Sequence, residues 1–328
     1  MIKICCLHPK VSDVPSFLKN AGLEDCQGLT DTLVWDTSSP DVLFASELIY
    51  YKYRFASDFR RLYSRSGIKV AYLCEALEGD MNLFDYVIGF SNQYPDNSRF
   101  IRLPAPADMF KGFLSAKENN LNPDEAATLL ETKTGFCNFL YSNGKAHPRR
   151  DELFHLLSSY KRVDSLGKHL CNMPQAGTGY GNGHAKDCVG IKSPYKFSIA
   201  AENAVFRGYT TEKVLTSLEA HTVPVYWGNP DVIEDINPKA IVNVSSYDSD
   251  AELLEAVKGI DADDGLWAKM VSEPWQTPEQ ADNSRRRTEN YRNALTGILS
   301  GNASRQAPEG FHEDLYRRGY FSVFNLFK

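Results

Sequence analysis

Between Tyr195 and Pro230 the chain reads YKFSIAAENAVFRGYTTEKVLTSLEAHTVPVYWGNP, which is a strand, a polar loop, a helix and another strand. In such a unit a ligand lies outside the carboxyl ends of the strands, where a helix N-terminus offers backbone amides to phosphate. Glu202 and Asn203 fall at the end of the first strand. Gly208 permits a tight backbone, and Thr210 or Thr211 can cap the helix. Lys213 then stands in the first helical turn, where a cation opposes the helix dipole but can act as a point charge on a departing diphosphate. Glu212 suits hydrogen bonds from ribose or sugar hydroxyls, and Tyr209 can stack or donate. A second helix, over Pro148 to Tyr160, begins with Arg149, Arg150 and Asp151, and Arg150 could add a fork-shaped donor to the same ligand. A solvated first turn is the plain alternative for these arginines. The pattern describes a protein that binds a phosphorylated ligand.

These residues need a scaffold of strands alternating with helices. Apolar runs bounded by polar turns recur at Ile2 to Leu7, Val42 to Ala45, Lys69 to Cys74 and Tyr86 to Phe90. A second series comprises Phe136 to Tyr141, Phe197 to Ala201, Val223 to Trp227 and Ile241 to Val244. Helical periodicity is clearest over Pro148 to Tyr160, Thr211 to His221, Asp250 to Lys258 and Glu279 to Leu299. This is an α/β chain with parallel sheets and two nucleotide-fold domains. The polar segment Leu114 to Thr134, part of which (Pro123 to Glu131) has helical character, separates the two series. The expected division is 1–150, 151–310 and an aromatic and basic tail, 311–328.

A chain of 328 residues, 42% hydrophobic and 24% charged with a net charge of −6, can bury two ordinary cores. Neither a disordered acidic chain nor a general nucleic-acid binder matches that balance. The apolar start of the chain stops at His8 and Pro9, too short for a signal segment, and no run reaches the ~18 apolar residues of a spanning helix. With seven cysteines, two of them adjacent, a disulfide framework is not expected, and reduced thiols suit the cytoplasm.

The order E-N, then G-Y, then T-E-K, then H-T-V-P-V-Y-W-G within Asn203 to Asn229 resembles the bacterial alpha-1,3-fucosyltransferases. FLYSNGKAHPRR, from Phe139 to Arg150, is similar to that family's serine-asparagine segment and arginine-bearing helix. MNLFDYVIGF, from Met81 to Phe90, is similar to a string of its N-terminal domain. The resemblance implies two facing Rossmann-like domains of GT-B type, the acceptor side mainly N-terminal and the donor side mainly C-terminal. It implies transfer of L-fucose from GDP-fucose to a sugar hydroxyl with inversion. Arg150 and Lys213 match the phosphate-binding residues, and Asn203, Tyr209 and Glu212 match donor-binding positions. Glu75, six residues before Met81 of the MNLFDY string, matches the catalytic base. Glu202 is a second carboxylate, expected to steady the donor. Ala201 stands where an aromatic is common, which changes the lining of the donor pocket.

By the same resemblance the acceptor is N-acetylglucosamine O3 in lactosamine-type, Lewis-like glycans carried on protein or lipid. Tyr50, Tyr51, Tyr53 and Phe55 are candidate sugar-stacking rings on strand-end loops, with burial in the core as the alternative. No cofactor and no essential metal are expected. Asp248 with Asp250, and Asp261 with Asp263, resemble metal-holding pairs but precede helices, where aspartate caps. His169, Cys171, His184 and Cys188 have the ligand types for zinc but lack Cys-x-x-Cys arms and flank a glycine-rich loop. The tail could touch a membrane peripherally, although its rings serve equally well packed onto the body. Two other readings share these features: an inverting transferase using a different nucleotide sugar, and a catalytically silent nucleotide-sugar or glycan-binding protein.

Overall fold

The computed structural model describes residues 1–26, 28–95, 97–103, 121–174 and 185–307. The tail after 307 and the glycine-rich segment up to His184 lie outside them. The described chain forms two compact units, one comprising the residues up to 103 and from 285 onward, the other residues 121–284.

The first unit contains β1 (Ile2–Leu7), α1 (Val14–Asn20), α2 (Leu29–Thr32), β2 (Leu33–Trp35), β3 (Val42–Ala45), α3 (Tyr53–Tyr63), β4 (Ile68–Tyr72), β5 (Tyr86–Gly89) and β6 (Phe100–Arg102). Its six strands are all parallel, in the order β2-β1-β3-β4-β5-β6. The strand order reverses between β1 and β3. Parallel sheets bury both faces, which is why β3 reads as four consecutive buried residues, Val42 to Ala45. Phe59, Leu62 and Tyr63 of α3 pack on this sheet with Phe84 and Val87. Fully burying each such side chain stabilises by roughly 1.5–3 kcal/mol.

The second unit contains α4 (Pro123–Leu130), β7 (Gly135–Phe139), α5 (Arg149–Ser158), β8 (Val163–Ser165), α6 (Ala185–Lys192), β9 (Tyr195–Ala201), α7 (Glu212–Glu219), β10 (Val223–Trp227), β11 (Val242–Asn243), α8 (Asp250–Ala262) and α9 (Asp264–Ser272). Its five strands are parallel in the order β11-β10-β9-β7-β8. Here the order reverses between β7 and β9, so their carboxyl ends flank the crevice where ligands bind in such sheets. The core joins Phe139, Phe197, Val225 and Trp267.

A last helix, α10 (Pro278–Leu299), begins in the second unit, where Gln280 Nε2 donates to the carbonyls of Ile233 and Ile236 at 2.7 and 2.9 Å. From Arg285 onward it belongs to the first unit. The expected division at residue 150 is therefore replaced on both counts. β7 pairs with β9 and draws residues before 150 into the second sheet, and the stretch after 285 returns to the first.

Tyr50, Tyr51, Tyr53 and Phe55 do not sit on a strand-end loop alone. Tyr50 ends a single 3-10 turn and is 5% exposed, while Tyr53 and Phe55 are in α3. Tyr53 is exposed on the surface. None of the seven cysteines is in a disulfide.

Candidate active site

At the β7–β9 switch point a cleft of about 210 Å³ is lined by residues that include Arg150, Asn203, Glu212 and Lys213. The turn after strand β7 supplies Leu140 to Asn143, β9 ends beside Asn203, and α5 and α7 bring the cations.

Arg150 is 2% exposed, although arginine is seldom buried without a purpose. Its Nη2 donates to Asn203 Oδ1 at 2.7 Å and to the Ala201 carbonyl at 3.2 Å. The guanidinium lies over the Tyr141 ring at 4.1 Å, and Tyr141 is itself fixed by donating to the Ile199 and Ala201 carbonyls. Arg150 Nε is buried without a hydrogen-bond partner, and among the described residues no carboxylate neutralises the side chain. Arg149, its neighbour, instead pairs with Asp250 and Glu152. The geometry thus separates two adjacent arginines that sequence spacing treats alike.

Lys213 projects from the first turn of α7. Its Nζ stands 3.1 Å from Glu202 and 3.6 Å from Glu212, and donates to Thr211 Oγ1 at 3.0 Å. Burial alone would lower its pKa, but the two carboxylates outweigh that and hold the ammonium firmly charged. Burial pushes the Glu212 pKa up, but the charge of Lys213, hydrogen bonds from its own backbone N–H and from Thr211, and the charge of Lys192 together outweigh that and hold it below the ordinary carboxylate value.

Glu202 is fully buried and does not line the cleft. It accepts from the Thr211 backbone N–H at 2.9 Å and from Thr211 Oγ1. Expected as a donor contact, it sits behind Lys213 and positions it. Thr211 does occupy the N-cap of α7, yet its hydroxyl makes no capping bond because Glu202 and Lys213 engage it. Tyr209 is 2% exposed and also lies outside the cleft lining.

The loop between β9 and α7 is fastened from below. Asn229 accepts from Gly208 N–H at 2.8 Å and donates to Thr210 Oγ1 at 2.9 Å. Gly228 has φ +143°, and a Cβ there would lie 2.5 Å from Glu202 Cβ. Only glycine suits that position.

Two residues that sequence reasoning missed come into view. Lys192, at the end of α6, is 5% exposed and lines the same cleft. Glu47 is buried in the first unit and accepts from the Cys74 backbone N–H at 3.3 Å, just before Glu75. Burial, with a smaller contribution from the charge of Glu75, pushes its pKa up to about 7. Glu75 itself follows β4 and is half-buried at the carboxyl edge of the first sheet. No sequence signal marked Lys192 or Glu47, since each is a lone charged residue beside an apolar run.

The acidic pairs have other partners. Asp263 caps α9 through the Leu266 N–H at 2.9 Å, Asp261 pairs with Lys161 and Lys196, and Asp250 with Arg149. Ser249 is the N-cap of α8. Among the described residues no group of three His, Cys, Asp or Glu side chains is placed to hold a metal, and His184 lies outside them.

The sequence model of the C-terminal domain of glycosyltransferase family 10 (fucosyltransferase) matches residues 130–297, more than half of the chain. The chain belongs to this family. Similar proteins include the alpha-(1,3)-fucosyltransferase FucT of Helicobacter pylori, 29% identical over 242 residues, covering 65% of this chain and 48% of that protein. Another is GDP-fucose protein O-fucosyltransferase 3 of Mus musculus, 30% identical over 203 residues and covering 61% and 42% respectively. The matched stretches thus span less than half the length of either relative. A crystal structure of an alpha1,3-fucosyltransferase superposes with a TM-score of 0.69 at 22% identity, covering 91% of this chain and 90% of that one. Structures described with GDP and with GDP-fucose superpose at 0.66 and 0.64. The family 10 chain therefore has the GT-B fold, with two Rossmann-like units. Among its described residues no helix is long and apolar enough to cross a membrane.

Proposed function

We propose that the chain transfers L-fucose from GDP-fucose to an acceptor hydroxyl with inversion. The observation that carries this reading is Arg150: a buried guanidinium, with an unused Nε donor, lining the cleft at the switch point of the second sheet. A diphosphate supplies the negative charge and the acceptor oxygens that such a group requires. Lys213 adds a point charge to the same anion.

In a single displacement the acceptor oxygen forms a bond to the anomeric carbon as the bond from that carbon to the GDP oxygen breaks. The electron pair leaves with GDP, and Arg150 and Lys213 stabilise the charge that develops there. Glu75 takes the hydroxyl proton as the new bond forms. Asn203 and Glu212 bind the donor from the cleft wall. Glu202 acts through Lys213, and Tyr209 through the packing of the loop. With two cations available for the leaving group, no metal is needed for its departure.

The preferred acceptor is N-acetylglucosamine O3 in lactosamine-type glycans. A second reading, a hydroxyl of a protein, is favoured by the similarity to GDP-fucose protein O-fucosyltransferase 3. Cytoplasmic residence, with peripheral membrane contact through the tail, belongs to the same proposal and is open to vesicle flotation.

The test is a donor panel in the presence of a chelator. Turnover with GDP-fucose alone is the expected result. Turnover with UDP-sugars and not GDP-fucose, or a loss in chelator that manganese restores, would count against the proposal. Binding of GDP-fucose without transfer to any acceptor would favour a silent binding protein.

A further inference from the structure

Lys192 is a buried charge that the displacement just described does not use. Its ammonium donates to three acceptors on the facing helix: the Lys213 carbonyl at 3.1 Å, Thr216 Oγ1 at 2.7 Å and Ser217 Oγ at 2.9 Å. All three are neutral. Among the described residues no carboxylate lies within ion-pair distance of Lys192, whereas Lys213 is already offset by Glu202 and Glu212. Taking an ammonium out of water is costly unless an opposite charge compensates it, and a cation against the first turns of α7 also opposes the helix dipole. A leucine or methionine would fill the same space without either cost. The side chain lines the cleft that holds Arg150, so an anion bound there is the missing compensation.

We propose that Lys192 is a third cation of the diphosphate site, holding positive charge against the donor from the side of α7. This rests on the donor reading above. Burial pushes the pKa of Lys192 down to about 8. The charged and titratable groups that face it are Cys188 on its own helix, Glu212 and Lys213 on α7, and Glu202 at the end of β9, with Arg150 and Tyr141 sharing the cleft. The ammonium is present below that pH and lost above it, while arginine keeps its charge and Glu212, whose pKa is lowered, stays ionised. Affinity for a diphosphate therefore falls as pH rises through 8.

The experiment is calorimetric titration of the full chain with GDP at about pH 7 and about pH 9.5. Wild-type affinity is expected to weaken about five- to tenfold across that interval. Lys192→Met is expected to be weaker at neutral pH by a similar factor and to show no such slope. Lys192→Arg should keep the neutral-pH affinity and also lose the slope. Cys188→Ser should retain it, which separates the thiol from the ammonium. In Lys192→Met the two hydroxyls keep helix acceptors, Thr216 on the Glu212 carbonyl at 2.8 Å and Ser217 on the Lys213 carbonyl at 2.9 Å. If that variant fails to fold, loss of the slope in Lys192→Arg decides the matter. Equal slopes in wild type and Lys192→Arg overturn this proposal and leave the donor reading standing. Absence of GDP binding by wild type at neutral pH overturns both.

Discussion

Glu47 shows how much a single buried carboxyl can govern. Its pKa of about 7 lies above the ordinary carboxylate value because burial disfavours the ionised form. Below roughly pH 4 both folded and unfolded chains carry the proton, and the stabilising contribution is complete. As pH rises the unfolded chain ionises first, so stability falls until the folded-state pKa is passed. Glu47→Gln cannot lose a proton, and its amide oxygen can still accept from Cys74 N–H. The variant is expected to match wild type near pH 4 and to be more stable by up to about 3 kcal/mol near pH 8. Urea denaturation at the two pH values checks this, and an unchanged difference between them would refute it. At this scale the sequence was partly legible. The E-N, T-E-K and H-P-R-R strings placed Asn203, Glu212, Lys213 and Arg150 at one cleft. The same strings could not show that Glu202 and Tyr209 are buried outside its lining, because spacing along a loop does not say which side chains are covered.

The strand-loop-helix between β9 and α7 sets the cleft through its underside. Glu202 leaves β9 where Gly228 leaves β10, and the two backbones approach so closely that a methyl group at Gly228 would meet the Glu202 side chain. Gly228→Ala is expected to cost about 2–4 kcal/mol and, by displacing Glu202 from Lys213, to weaken GDP binding as well. Denaturation together with a GDP titration reads both effects. Loss of stability with unchanged GDP affinity would mean that Glu202 does not position Lys213. Buried strands such as β1, β3 and β10 were readable because both faces are apolar over four or more residues. β2, β6 and β8 were not: each is a three-residue edge strand, too short for a period and covered on fewer sides. α3 was hidden because its aromatic start, Tyr53 to Phe55, looks like a loop rich in rings.

At the scale of the whole chain, the return of residues after 285 to the first unit was invisible to pattern reading. A helical period gives the extent of α10 but not what it packs against. The contacts are specific. Tyr291 Oη is 2.8 Å from Tyr72 Oη and donates to the Ala21 carbonyl at 2.9 Å, and Arg292 donates to the Gly22 carbonyl at 2.7 Å and to Asp25. Replacing Tyr291 and Arg292 together with alanine removes these bonds and a buried ring. Limited proteolysis is expected to cut residues 1–104 faster in that variant, while GDP affinity stays within about twofold because neither side chain lines the cleft. A large loss of GDP affinity would show that the two units are not independent in this respect.

The most direct measurement is GDP release from GDP-fucose, with and without N-acetyllactosamine or a protein acceptor, for wild type and Glu75→Gln. Wild type should show acceptor-stimulated release, and the variant should fall by about a hundredfold or more while binding GDP-fucose normally. Full turnover by Glu75→Gln, or a wild type that binds the donor and releases no GDP with either acceptor, would contradict the proposed transfer.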